Sequence, residues 1–93
     1  MKILFVCTGN TCRSPMAQAM FENILKEENV EGISVSSAGV IVYDKTKASY
    51  NAIKAMEDRN IDLSHHISRQ VMKEDIIESD YIIVMTENHK NWL

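Results

Sequence analysis

Near its amino end the chain runs KILFV and then, without a break, CTGNTCRSP, before apolar residues begin to recur at helical spacing. Lys2 to Val6 is a run with β-branched and aromatic members, the pattern of a strand buried on both faces, as in parallel sheets. Beyond the loop, Ser14 suits a helix N-cap and Pro15 the first helical position. Met16, Ala17, Met20, Phe21, Ile24 and Leu25 return every three or four residues, and Gln18, Glu22, Asn23, Lys26 and Glu27 take the other side. That spacing predicts an amphipathic helix over about 15–28. A buried strand turning tightly into a helix is the opening of an α/β unit.

The rest of the chain continues the alternation. Glu31-Gly32 interrupts the helix, and Ile33 to Ser36 alternates as a second strand, which Ser37-Ala38-Gly39 leaves for a loop through Tyr43 and Asp44. Ala48 to Arg59 reads as a second helix with Ala52, Ile53 and Met56 inward; Ser64 to Gln70 is polar and reads as loop. Val71 to Ser79 reads as a shorter helix and Tyr81 to Met85 as a third buried strand, after which Thr86 caps a last helix beginning at Glu87 or Asn88. The order predicts one α/β domain over residues 1–93 with a parallel sheet and right-handed crossovers. In such folds ligands bind at the carboxyl ends of strands, where the loop Cys7–Ser14 lies.

Several function classes are disfavoured at once. A net charge of −3 gives no basic footprint, so nucleic acid is not an expected partner. The longest apolar run, Tyr81 to Met85, is strand-sized, so no membrane span is expected. The apolar start is too short for a signal peptide, and both cysteines crowd into one six-residue window. That crowding does not staple a secreted fold, so a reducing, cytoplasmic setting is expected.

The loop's chemistry follows from its position. Its backbone N–H groups and the positive end of the following helix make a natural anion site. Gly9, lacking a Cβ, lets the backbone turn tightly and approach an anion. Arg13 adds a planar fork that matches two phosphate oxygens. A cysteine in that positive concavity is favoured as the thiolate, and Ser14 adds a hydrogen bond to it. The arrangement predicts nucleophilic attack of Cys7 on phosphorus through a covalent thiophosphate. A zinc site built on Cys7 and Cys12 needs further ligands, for which His65, His66 and His89 are the candidates, and it leaves Gly9 and Arg13 without a role. A nucleotide-binding P-loop needs a second glycine and a Lys-Ser/Thr end, both absent here. No metal or organic cofactor is expected.

The run VCTGNTCRSPMAQAMF resembles the motif of low-molecular-weight protein tyrosine phosphatases, and SSAG at 36–39, SHHISRQ at 64–70 and SDYIIVMTENHK at 79–90 follow in the same order. The resemblance implies a flavodoxin-like or Rossmann-like parallel sheet, order 2-1-3 here, with helices on both faces. It implies hydrolysis of phosphotyrosine on a protein substrate through a cysteinyl-phosphate. Cys7 would be the nucleophile, Arg13 the phosphate clamp, and Ser14 the hydroxyl that steadies the thiolate. Thr8, Gly9, Asn10, Thr11, Cys12 and Arg13 would bind phosphate or another tetrahedral oxyanion. Ser37 and His66 would support Asn10, Tyr43 would stand at the substrate rim, and Cys12 would be the neighbour able to form a disulfide with Cys7. Thr11 is similar to the threonine of bacterial protein-arginine phosphatases, which makes phosphoarginine the alternative substrate. Arsenate reductase-like chemistry and a non-catalytic phosphate-binding module are the remaining alternatives.

The resemblance also sets two expectations of loss. The family's general acid is an aspartate in an Asp-Pro loop, and these 93 residues hold one proline, Pro15, and no Asp-Pro pair. The domain is therefore expected to be partial, with the fourth strand and last helix missing, and weak as a phosphatase. An uncovered third strand would invite self-association.

Overall fold

The structure of the chain is a computed structural model that describes residues 1–85. Three strands, β1 (Lys2–Cys7), β2 (Ser34–Gly39) and β3 (Tyr81–Val84), form one parallel sheet in the order β2-β1-β3. Three helices connect them: α1 (Arg13–Glu27), α2 (Tyr50–Glu57) and α3 (Lys73–Glu78). The helix expected from Glu87 or Asn88 lies outside the described residues.

The central strand explains the sheet's stability. Leu4 and Val6 are wholly buried and pack with Ala38 and Val40, with Ile41, Val71, Ile82 and Val84 laid against them. Complete burial of such a side chain is worth about 1.5–3 kcal/mol. Alternation along the strand sends Phe5 and Cys7 to the opposite face. There Phe5 meets Phe21 of α1 edge to face, ring centroids 6.0 Å apart. A second cluster joins Ala48, Ala52, Met56 and Leu63 to Met16, Ala19 and Met20 of α1, so α2 packs on α1.

Four local expectations are corrected. Helix α1 starts at Arg13 with Cys12 as its N-cap residue, so Ser14 is not the cap and Pro15 is the third helical residue. Pro15 still lies in the first turn, where a missing N–H costs nothing. Ile24 is exposed, although α1 packs on β1, β2 and α2. Ser37-Ala38-Gly39 is not loop but the end of β2, held in register with Phe5, Val6 and Cys7. Among the described residues β3 is an outer strand, as expected of an uncovered third strand, but it is not buried: Tyr81 and Ile83 are exposed while Ile82 and Val84 face the core.

The register places the ends of β1 and β2 side by side at Cys7 and Gly39. The polar segment 66–71 is tied across that end by bridges pairing Gly39 with Gln70 and Lys47 with Ile67. The Gln70 amide adds two bonds to the chain leaving β2: Nε2 donates to the Val40 carbonyl, and Oε1 accepts from the Val42 N–H, each at 2.8 Å.

Candidate active site

The loop between β1 and α1 closes around a sulfur. Cys7 is 3% exposed, and its Sγ accepts the Asn10 N–H at 3.2 Å. Ser14 Oγ lies 2.9 Å from the same sulfur. The direction of that bond follows from its neighbours. Asn10 Nδ2 donates to Ser14 Oγ at 2.8 Å, which leaves the Ser14 hydroxyl proton for Cys7. Two donors thus converge on one buried sulfur. Ser14 is fully buried inside the first helical turn, and its hydroxyl is spent on the thiol.

Asn10 holds the loop's shape. Its φ of 56° is left-handed, a conformation costly for most residues and tolerated by asparagine. Every polar group of this wholly buried residue has a partner. Besides Ser14, Nδ2 donates to Ser37 Oγ at 3.0 Å, and Ser37 donates onward to Gln18 Oε1 at 2.7 Å. Oδ1 accepts the Arg69 N–H at 3.0 Å. The carbonyl lies 2.7 Å from His66 Nε2, which must carry the proton because a carbonyl only accepts.

The left-handed turn falls on Asn10, so Gly9 is not where glycine is required for it. A Cβ on Gly9 would meet Thr11 Oγ1 at 3.7 Å, an ordinary contact. The glycine that sterics demand is Gly39, where a Cβ would stand 2.7 Å from the Thr8 carbonyl and 3.0 Å from the Asn10 nitrogen. The loop is further seated by Val40 N–H on the Cys7 carbonyl, Ile41 N–H on that of Thr8, and Ser49 N–H on that of Thr11. Among the described residues, the N–H groups of Gly9, Thr11 and Cys12 donate to no other group of the chain.

The remaining candidate residues fall around this loop. Arg13 is exposed at the start of α1, with no ion pair among the described residues. Cys12 is an exposed free thiol, and Cys7 is a buried one. Tyr43 is 92% exposed in the loop after β2. His89, the third histidine weighed for zinc, lies outside the described residues; among those described no cluster of metal-ligating side chains forms.

One contributor went unread in the sequence. Arg69 bonds Asn10 through its backbone, while its guanidinium grips Asp75 with two bonds of 2.9 Å. Asp75 also accepts the Met72 N–H at 2.7 Å. Burial pushes the Asp75 carboxyl up, but the Arg69 hydrogen bond, the Met72 N–H and the Arg69 charge outweigh it, so it lies below the usual range.

Comparison with known proteins gives the chain's family. The family model "Low molecular weight phosphotyrosine protein phosphatase" matches residues 2–93. The protein-arginine-phosphatase of Bacillus subtilis is 42% identical over 90 residues, which are 97% of this chain and 59% of that protein. The human low molecular weight phosphotyrosine protein phosphatase is 38% identical over 89 residues, 94% of this chain and 56% of that one. The solved structure of the YwlE arginine phosphatase, a serine-for-cysteine mutant with a phosphorylated active-site serine, superposes with a TM-score of 0.93 at 40% identity. It covers 99% of this chain and 59% of that one. The chain thus spans less than three-fifths of the length of these curated relatives, over the part that carries the cysteine loop. From its second residue to its last, this chain belongs to the low molecular weight phosphotyrosine protein phosphatase family.

Proposed function

We propose that the chain carries the phosphoryl-transfer machinery of a cysteine-dependent protein phosphatase acting on phosphotyrosine. The observation that carries the reading is the buried Cys7 sulfur accepting both the Asn10 N–H and the Ser14 hydroxyl. In the first step the Cys7 thiolate attacks phosphorus; the S–P bond forms, the P–O bond to the tyrosine breaks, and the phenolic oxygen takes a proton. In the second step water attacks phosphorus, the S–P bond breaks, and inorganic phosphate leaves with the thiolate restored. Arg13 neutralises the equatorial oxygens in both steps, and the loop N–H groups of Gly9, Thr11 and Cys12 join it. Asn10, with Ser37 and His66 behind it, keeps the loop in the anion-binding shape. Tyr43 lines the rim, and Thr8 completes the loop.

The leaving-group proton has no Asp-Pro donor within these 93 residues. Loss of a general acid costs about 10²–10⁴ in rate, so these residues alone turn over slowly. When a peroxide has oxidised Cys7 to the sulfenic acid, the Cys12 thiol attacks that sulfur, the S–O bond breaks and water leaves, and the resulting disulfide protects Cys7 from further oxidation. No described helix is long and apolar enough to cross a membrane. We place the protein in the reducing cytoplasm, and its β3 edge, with exposed Tyr81 and Ile83, is the surface through which copies of this chain associate.

A second reading, phosphoarginine, is favoured by Thr11 and by the arginine phosphatases among the relatives. Phosphate release from phosphotyrosine and phosphoarginine peptides decides between them, with this chain and with a version extended to the length of its relatives. Release from phosphotyrosine that vanishes in Cys7→Ala supports the leading reading. Release from phosphoarginine alone replaces it with the second, and release that persists in Cys7→Ala ends both.

A further inference from the structure

The segment after the second helix touches the phosphate loop at two atoms. His66 donates to the Asn10 carbonyl, and the Arg69 backbone N–H donates to Asn10 Oδ1. The second of these bonds is the only one that Oδ1 receives among the described residues, and it orients the amide so that Nδ2 points at Ser14 and Ser37. The bond therefore fixes which way round the Asn10 amide sits. Through Ser14 it also sets the proton that faces the Cys7 sulfur.

A backbone N–H is only as well placed as the residue that carries it. Arg69 is fixed on three sides. Its carbonyl accepts the Gly39 N–H at 2.9 Å, joining it to the end of β2. Its N–H is on Asn10. Its guanidinium is held by both oxygens of Asp75, in the two-bond geometry that restricts direction as well as distance. Asp75 in turn accepts the N–H of Met72, which fixes the carboxylate from the other side. The pair is partly shielded, with 36% and 17% of the two side chains exposed. It is thus less screened than an ordinary surface ion pair. Helix α3, which carries Asp75, buries none of its own residues. Val71, just before the helix, packs against the core and its N–H bonds the Gly39 carbonyl at 2.8 Å, and the ion pair adds a side-chain tie from α3 itself back to Arg69.

We propose that Arg69 and Asp75 are positioning residues for the phosphate loop: their ion pair braces the Arg69 backbone so that its N–H holds the Asn10 amide, and through it Ser14, in the orientation that binds a tetrahedral oxyanion over Cys7. Neither residue touches the substrate. The inference rests on the phosphatase reading above and extends it to a residue pair outside the cysteine loop.

The test uses inorganic phosphate as the probe. Its affinity is read from the protection of Cys7 against iodoacetamide, with peptide mass spectrometry reporting Cys7 and Cys12 separately. This readout does not depend on a general acid. Asp75→Asn keeps the shape of the side chain but removes its charge, and Arg69→Lys keeps charge but loses the two-bond fork. Both variants are expected to weaken phosphate about 3- to 10-fold, a size typical of one partly shielded coupled pair, with little change in melting temperature. The exchange variant Arg69→Asp with Asp75→Arg is expected to recover part of that loss, which a purely structural role does not predict.

Phosphate affinity equal to that of the unsubstituted chain in both single variants overturns the proposal and leaves the phosphatase reading standing. So does a fall in melting temperature with affinity unchanged. Failure of the unsubstituted chain to be protected by phosphate at all overturns the proposal together with the reading on which it rests.

Discussion

Gly39→Ala tests how tightly the sheet constrains the phosphate loop. The added Cβ would lie 2.7 Å from the Thr8 carbonyl oxygen, 2.7 Å from Val42 Cγ2 and 3.0 Å from the Asn10 nitrogen. The valine methyl can rotate away, but the two backbone atoms belong to the loop itself. Bringing the Thr8 contact to an ordinary 3.4 Å requires the loop to shift by several tenths of an ångström. Overpacking of this kind costs about 1–3 kcal/mol. In a domain of this size that lowers the melting temperature by about 5–20 °C. The functional loss is separate. A displacement of a full ångström at a reacting site costs about 10²-fold, so a fraction of that distance is expected to cost about 10-fold in kcat/KM. The assay is hydrolysis of p-nitrophenyl phosphate, whose leaving group needs no acid, alongside a thermal melt. Gly9→Ala is the stability control, since its Cβ would meet only an ordinary contact, and its melting temperature should move by no more than about 2 °C. If Gly39→Ala melts and turns over like the unsubstituted chain, the steric reasoning about the loop fails.

Two further outcomes follow from the same structure. The 93-residue chain should hydrolyse aryl phosphates at rates that fall steeply as the leaving-group pKa rises; equal rates across a series would refute the account of the absent acid. Glu22 is held above its usual carboxylate range by burial, which its Gln18 hydrogen bond only partly offsets. Its folded pKa is the higher one, so the ionised carboxylate opposes folding above that pKa, and the penalty disappears as pH falls through it. Glu22→Gln should therefore raise the melting temperature at pH 7 and give no gain at pH 3; a gain of the same size at both pH values would contradict this.

What the sequence revealed was what local spacing carries. The strand, the Cys7-x5-Arg13 loop and the start of α1 lie within a few residues of one another, so apolar periodicity and turn chemistry suffice to find them. Ser14 was misread as a cap because a serine hydroxyl before a helix usually bonds a backbone N–H. Here the Asn10 amide, delivered by a left-handed turn, makes the Cys7 sulfur the better partner. The end of β2 was misread because serine, alanine and glycine have little strand preference of their own, and their pairing with β1 supplies it. The steric need at Gly39 and the contribution of Arg69 arise from contacts across about 30 and 59 residues of chain, beyond the reach of any spacing rule. Tyr81 and Ile83 looked buried because an apolar run reads alike on a central strand and on an edge.

The account stands or falls on a covalent bond to one sulfur. The direct measurement is an acid quench of the chain during turnover of p-nitrophenyl phosphate, followed by peptide mass spectrometry. The expected result is phosphate on the peptide containing Cys7 and located on that residue, absent from Cys7→Ala. Turnover with no phosphate on Cys7 at any quench time, or with phosphate carried by another residue, would contradict it.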